Sequence, residues 1–101
     1  MIVLKFGGTS VGKPERMKKI AELVLGTPGK KIVVLSALSG TTNTLVAIGD
    51  NLMAGQKAKA EDEIVALEKH YQAFVKELFT SDSYQAIGQE IVSRFFIFIR
   101  L

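Results

Sequence analysis

A short stretch near the start of the chain has residue types and spacing suited to holding phosphate. Lys5 is followed by Gly7-Gly8 and then by Thr9-Ser10. Adjacent glycines let a backbone turn sharply and approach a ligand with no Cβ in the way. Their amides, the two hydroxyls and the nearby ammonium together suit an anion, and phosphate above all. A second run of small and hydroxyl residues, Ser36-Ala37-Leu38-Ser39-Gly40-Thr41-Thr42-Asn43, follows another apolar segment. Each cluster taken alone also fits a plainer role. The first could be an ordinary strand-to-helix turn with a solvated lysine, and Thr42 or Asn43 could simply cap a helix. For the second cluster the two roles are compatible, because a capped helix start that faces a ligand is itself an anion site.

Gly7 to Lys13 also fits the G-x-x-x-x-G-K pattern of a Walker A loop. The next residue is Pro14, where that loop needs a hydroxyl for magnesium. Proline offers neither a side-chain oxygen nor an N–H. The Walker reading also leaves Lys5 without a role, so it stands well behind.

The elements that must position these residues are legible in outline. Ile2-Val3-Leu4 and Ile32-Val33-Val34-Leu35 are short apolar runs without alternation, as in parallel strands buried on both faces. Between them Pro14 suits a first helical position. Met17, Ile20, Ala21 and Val24 then form an amphipathic stripe, which Gly26 and Pro28 should end. The result is a βαβ unit, expected to be right-handed. Its two loops should meet beyond the carboxyl ends of the strands, where such sheets bind ligands.

Leu45, Ile48 and Leu52 predict a helix to about Met53 with Gly55 as its stop, and Gln56 to Ala60 reads as a polar connector. From Glu61 onward, Ile64, Leu67, Tyr71, Phe74 and Leu78 recur in steps of three and four. Tyr84, Ile87, Ile91, Phe95 and Phe98 repeat the pattern after Thr80-Ser81-Asp82-Ser83, with Asp82 and Gln85 as a capping box. Two such stripes predict an antiparallel helical hairpin with the aromatic residues in its core and His70 at its surface or edge. Phe95 to Ile99 is more apolar than a free helix end should be. Two strands also make a marginal sheet, so the chain reads as the front part of a larger protein.

Composition narrows the function classes. At 101 residues the chain is one small domain or part of a larger one, and 48% hydrophobic residues excludes disorder. Without cysteine there is no disulfide framework or thiolate site, and zinc would have to rely on the lone His70 and carboxylates, so no metal site is expected. No signal sequence or membrane span is evident, which predicts a soluble protein of the cytoplasm. The net charge of +3 comes from scattered lysines with no interleaved aromatics, so neither nucleic acid nor membrane is expected as a partner.

Lys5-Phe6-Gly7-Gly8-Thr9-Ser10-Val11, together with Val34 to Leu45, closely resembles aspartate kinase. The first segment matches that family's opening K-F-G-G-T-S-V, and the second its S-A-x-x-G-x-T-N-x-L loop. The hairpin after Glu61 is similar to the helical insert of these enzymes, so only the last half-dozen residues are loosely matched. The fold this implies is α/β: a partial amino-acid-kinase α/β/α sandwich with a βαβ start, followed by an antiparallel helical hairpin. Residues 1–55 would form the phosphate- and substrate-binding portion and 56–101 the insert. The rest of the catalytic domain, and any regulatory domains, would lie beyond them.

The activity the resemblance implies is ATP-dependent phosphorylation of L-aspartate to 4-phospho-L-aspartate, on the route to lysine, threonine and methionine. ATP would act with Mg2+ as a cosubstrate complex, and the full-length protein would be a homo-oligomer. By position, Lys5 would neutralise the phosphoryl group in flight. Gly7 and Gly8, with Phe6 beside them, would offer backbone to the β- and γ-phosphates, and Ser10 a hydroxyl. Ser36 would stand at the transfer point, and Thr42 with Asn43 would contact the amino acid. The family's substrate-binding Glu and Arg would lie after Leu101, so this polypeptide alone is expected to be inactive. Two alternatives remain, another amino-acid kinase and a non-catalytic, self-associating helical module.

Overall fold

The computed structural model describes residues 1–100. Two strands and four helices follow one another: β1 (Ile2–Phe6), α1 (Pro14–Gly26), β2 (Lys31–Leu35), α2 (Thr41–Met53), α3 (Lys57–Leu78) and α4 (Asp82–Ile97). They divide into two compact units, Met1–Gly40 and Thr41–Leu101.

In the first unit β1 and β2 pair in parallel, with Ile2 opposite Lys31 and Phe6 opposite Leu35. Helix α1 connects them, as the apolar runs and the intervening stripe require. Pro14 occupies the first turn of α1, and Ile20 is its buried residue. The end of α1 differs from expectation. Gly26 is the last helical residue, and Thr27 closes the helix with its hydroxyl donating to the Leu23 carbonyl at 2.7 Å. The left-handed backbone falls two residues later, at Gly29 (φ 83°). The strands are also less buried than their apolar sequence suggested, since Ile32 to Leu35 are all exposed. A parallel pair needs cover on both faces, and among the described residues this unit has one helix to provide it.

The second unit is built on α3. Helix α2 begins at Thr41 and ends in a Schellman motif: the Gln56 N–H donates to Asn51 O and the Gly55 N–H to Leu52 O. Gly55 has φ 76°, the conformation this cap demands and glycine adopts without strain. Helix α3 then starts at Lys57, so all of the stretch read as a connector but Gln56 is already helical, and Ala60 within it is fully buried. Tertiary burial of one alanine face outweighs the polar look of Gln56 to Ala60.

Helices α3 and α4 form an antiparallel hairpin, with Gln85 reaching Lys76 and Arg100 reaching Glu68. Its core joins Ile48 of α2 to Ala60, Ile64, Leu67 and Val75 of α3 and to Val92 and Phe96 of α4. The α3 stripe matches its sequence reading. The α4 stripe does not: Tyr84, Ile87, Ile91, Phe95 and Phe98 are exposed, and Gly88, Val92 and Phe96 face α3 instead. The expected capping box is likewise replaced. Ser81 is the N-cap, accepting from the Tyr84 N–H, while the Gln85 side chain donates to the carbonyls of Lys76 and Phe79. Bonding Gln85 to the end of α3 ties the hairpin turn together, which a local box would not do. His70 is exposed, with its ring edge-on to Tyr71.

Candidate phosphate site

The first unit brings its two loops together by strand pairing. Phe6 and Leu35 are register partners at the carboxyl ends of β1 and β2. One residue on, the Ser36 N–H donates to the Phe6 carbonyl at 3.1 Å. Ser36 is thereby fixed beside the start of the Gly7-Gly8 loop, with Lys5 one position back on β1 opposite Val34. Lys5, Gly7 and Ser36 are exposed, and Phe6, Gly8 and Ser10 are half-buried.

The first loop is a tight turn closed on one carbonyl. The N–H groups of Ser10 and Val11 both donate to Gly7 O, at 3.0 and 3.3 Å. Val11 is completely buried and anchors the turn. Neither Gly7 nor Gly8 uses a left-handed backbone. Their contribution is open space: a Cβ on Gly7 would meet nothing, and one on Gly8 would only touch Ala37 O and Ser39 Cα at 4.0 Å. A phosphate oxygen can approach where a side chain would otherwise stand.

Two residues that sequence reasoning did not single out hold this loop. Gly12 sits against the second loop so closely that a Cβ there would lie 3.1 Å from Ser39 Cβ and 3.2 Å from Gly8 O. The Walker-like spacing named Gly12 for a different reason and gave no hint of this packing. Arg16, in the first turns of α1, donates from Nη1 to Thr9 O at 2.8 Å. Beside it, Phe6, Thr9, Ser10, Arg16 and Lys19 share the lining of an open cavity of about 360 Å³. Arg16 and Lys19 thus bring positive charge beside the Thr9 and Ser10 hydroxyls, while Lys5, next to Phe6 on β1, is exposed and is not among the residues lining this cavity. Cations beside hydroxyls suit an oxyanion. Among the described residues no group of three or more His, Asp or Glu is placed to hold a metal ion. No helix there is long and apolar enough to cross a membrane.

Replacing Arg16 with alanine should loosen the loop without unfolding the unit. The side chain is exposed, so stability should fall by no more than about 1.5 kcal/mol. Amide exchange at Ser10 and Val11 should quicken while that at Val24, at the far end of α1, stays as it is. Unchanged protection at Ser10 and Val11 would show that Arg16 does not brace the turn.

Thr42 and Asn43 lie in the second unit, exposed in the first turn of α2. Thr41, just before them, is buried, with its hydroxyl 2.7 Å from the Tyr71 hydroxyl.

Comparison with known proteins agrees with this geometry. The sequence model of the amino acid kinase family matches residues 1–98. The Haemophilus influenzae protein "Putative inactive aspartokinase 3" is 36% identical over 92 residues, which is 90% of this chain and 71% of that protein. Chloroplastic aspartokinase 1 of Arabidopsis thaliana is 43% identical over 77 residues, 75% of this chain but 12% of its own length. Lysine-sensitive aspartokinase 3 of Escherichia coli is 42% identical over 64 residues, 63% of this chain and 14% of its own. Against these last two, then, the chain spans about one part in eight of a much longer protein. With the parallel strand pair, the glycine turn and these matches together, the chain belongs to the amino acid kinase family and groups with the aspartokinases within it.

Proposed function

We propose that this chain supplies the phosphate-holding portion of an aspartate kinase, which transfers the γ-phosphoryl group of ATP to the side-chain carboxylate of L-aspartate. In that reaction a carboxylate oxygen bonds to the γ-phosphorus as its bond to the bridging oxygen breaks, and ADP leaves with the electron pair. The product is 4-phospho-L-aspartate, a precursor of lysine, threonine and methionine, and the setting is the cytoplasm. Such a transfer depends mostly on positioning and on stabilising spread negative charge. The residues at hand are suited to that.

Lys5 would balance charge on the group in flight. The Gly7 and Gly8 backbone, with Phe6 beside it, would border the β- and γ-phosphates, and Ser10 would add a hydroxyl. Ser36 would stand at the transfer point, while Thr42 and Asn43 would contact the amino acid. Mg2+ would arrive with ATP, bound to phosphate oxygens and water, because the loop offers amides, hydroxyls and cations rather than carboxylates. Functionally, residues 1–55 would carry these contacts and 56–101 the helical insert, a division distinct from the two compact units.

The observation that carries this reading is the hydrogen bond from Ser36 N–H to Phe6 O, which sets the second loop beside the first at one edge of the parallel pair. The isolated chain is expected to hold nucleotide without turning it over. The Haemophilus relative, of which it covers 71%, is named inactive, in keeping with that expectation. Titration with ATP, followed by 31P NMR, should show binding that Lys5→Ala weakens at least tenfold, about 1.4 kcal/mol, with the circular dichroism spectrum unchanged. An ATP- and aspartate-dependent hydroxamate assay should stay at background. Equal affinity of the Lys5→Ala protein would remove Lys5 from the site, and turnover by the isolated chain would overturn the claim that it is incomplete.

A further inference from the structure

The exposed face of α4 has an unusual symmetry of spacing. Tyr84, Ile87, Ile91, Phe95 and Phe98 are 55% to 90% exposed. The first four lie within the helix and Phe98 at its C-cap, still in right-handed helical conformation. Their positions fall at −7, −4, 0, +4 and +7 about Ile91. A stripe symmetric about its centre is complementary to itself when two copies cross antiparallel there. Tyr84 then meets Phe98 and Ile87 meets Phe95, each pair occurring twice, while Ile91 meets its own copy once on the two-fold axis. A stripe stepped by three and four suits the shallow crossing of about 20°, in which contact continues along the helix.

Charge follows the same symmetry. Glu90 and Arg94 flank the stripe on one side and pair within their own helix at 2.8 Å, both well exposed. In an antiparallel crossing at Ile91 a two-fold axis brings like flanks together. With about 1.5 Å of rise per residue, Glu90 of one copy then lies about 3 Å along the axis from Arg94 of the other, and the reverse. The area also suffices. At about 200 Å² per aromatic side chain the stripe offers roughly 600 Å² per copy. A dimer would thus bury about 1,200 Å², at the lower end of stable specific interfaces. On the neighbouring face, about 100° round the helix, Gly88, Val92 and Phe96 already pack against α3, so the stripe is not the face its own unit buries.

We propose that this face joins two copies of the chain in an isologous dimer, with α4 crossing its symmetry mate at Ile91. This surface is independent of the phosphate site, and its test does not involve nucleotide. The chain contains no cysteine, so one introduced thiol reports on one position. Ile91→Cys should give a disulfide-linked dimer under mild oxidation, because only a residue on the axis brings its own copy within the roughly 7 Å between Cα atoms that a disulfide allows. Val65→Cys, exposed on α3, should remain largely monomeric under the same conditions.

Sedimentation over a concentration series should show monomer and dimer, with Ile91→Arg raising the dissociation constant by roughly thirtyfold or more. Glu90→Arg should weaken the dimer, and adding Arg94→Glu to it should restore association. A wild-type chain that stays monomeric throughout would overturn the proposal and leave the stripe to a different partner. Equal cross-linking at positions 91 and 65, or failure of the charge exchange to restore association, would overturn the crossing at Ile91.

Discussion

Phe96→Ala is expected to cost the second unit about 3–5 kcal/mol, enough to remove most or all of its stability. Phe96 is 1% exposed and sits where α4 meets α3, beside Val92, Leu67 and the ring of Tyr71. Its ring is edge-on to Tyr71 at 5.6 Å between centroids, and the Tyr71 hydroxyl lies 2.7 Å from that of Thr41. Deleting the ring would open a cavity in a unit of about sixty residues, whose small core has little reserve. Tyr71 would lose one of its two ring neighbours as well. Phe95→Ala gives the matched control. The neighbouring ring is 61% exposed and touches the core only edge-on at Phe96, 5.9 Å between centroids, so in dilute solution its loss should cost about 1 kcal/mol. Urea unfolding followed by far-ultraviolet circular dichroism separates the two. Equal losses would mean that α4 is rotated from the arrangement described.

That comparison also shows where the sequence is ambiguous. Helix α4 carries two apolar faces: Tyr84, Ile87, Ile91 and Phe95 on one, and Gly88, Val92, Phe96 and then Ile99 on the other. Both have helical spacing, so periodicity alone cannot say which one meets α3. The decision is made by shape. Gly88 leaves room for Val75, and Phe96 fills the space beside Tyr71. Neither fact can be read before the partner helix is in place. Helix α3 presented no such choice, because its opposite face is rich in charge, and its stripe of Ile64, Leu67 and Phe74 is the buried one.

The first unit was legible for the opposite reason. Its strands, its Pro14 start and its glycine turn are local signals, and parallel pairing then places the two loops at one edge without further information. What stayed hidden there depends on approach in space. Gly12 against Ser39 and Arg16 against Thr9 join positions that spacing does not relate. The exposure of Ile32 to Leu35 was hidden too, because an apolar run reports what a strand can bury and not what is available to cover it.

Gly88→Val should be the second most damaging change, at about 3 kcal/mol. A Cβ at this position would lie 2.6 Å from Val75 Cγ1 and 3.4 Å from Phe79 Cε2. The nearer atom cannot give way easily. Val75 is buried, and a β-branched side chain in a helix is held close to one χ1 rotamer. Two effects therefore oppose each other when Gly88 is replaced. Any residue but proline gains up to about 1 kcal/mol of helix propensity over glycine, but the added atoms push α3 and α4 apart along the seam that also holds Val92 and Phe96. With alanine the clash already exceeds the gain, because its Cβ is the atom that would lie 2.6 Å from Val75 Cγ1. With valine the clash dominates, since two further methyl groups enter a seam already closed at Cβ. The blocking group can be removed from the other side. Val75→Ala alone should cost about 1–2 kcal/mol as a buried truncation. In the Gly88→Val background it should cost much less, because the cavity it leaves receives the new side chain. A double-mutant cycle measured by urea unfolding should therefore show at least about 1 kcal/mol of favourable coupling between the two positions. Strict additivity would mean that α3 and α4 do not approach each other at Gly88.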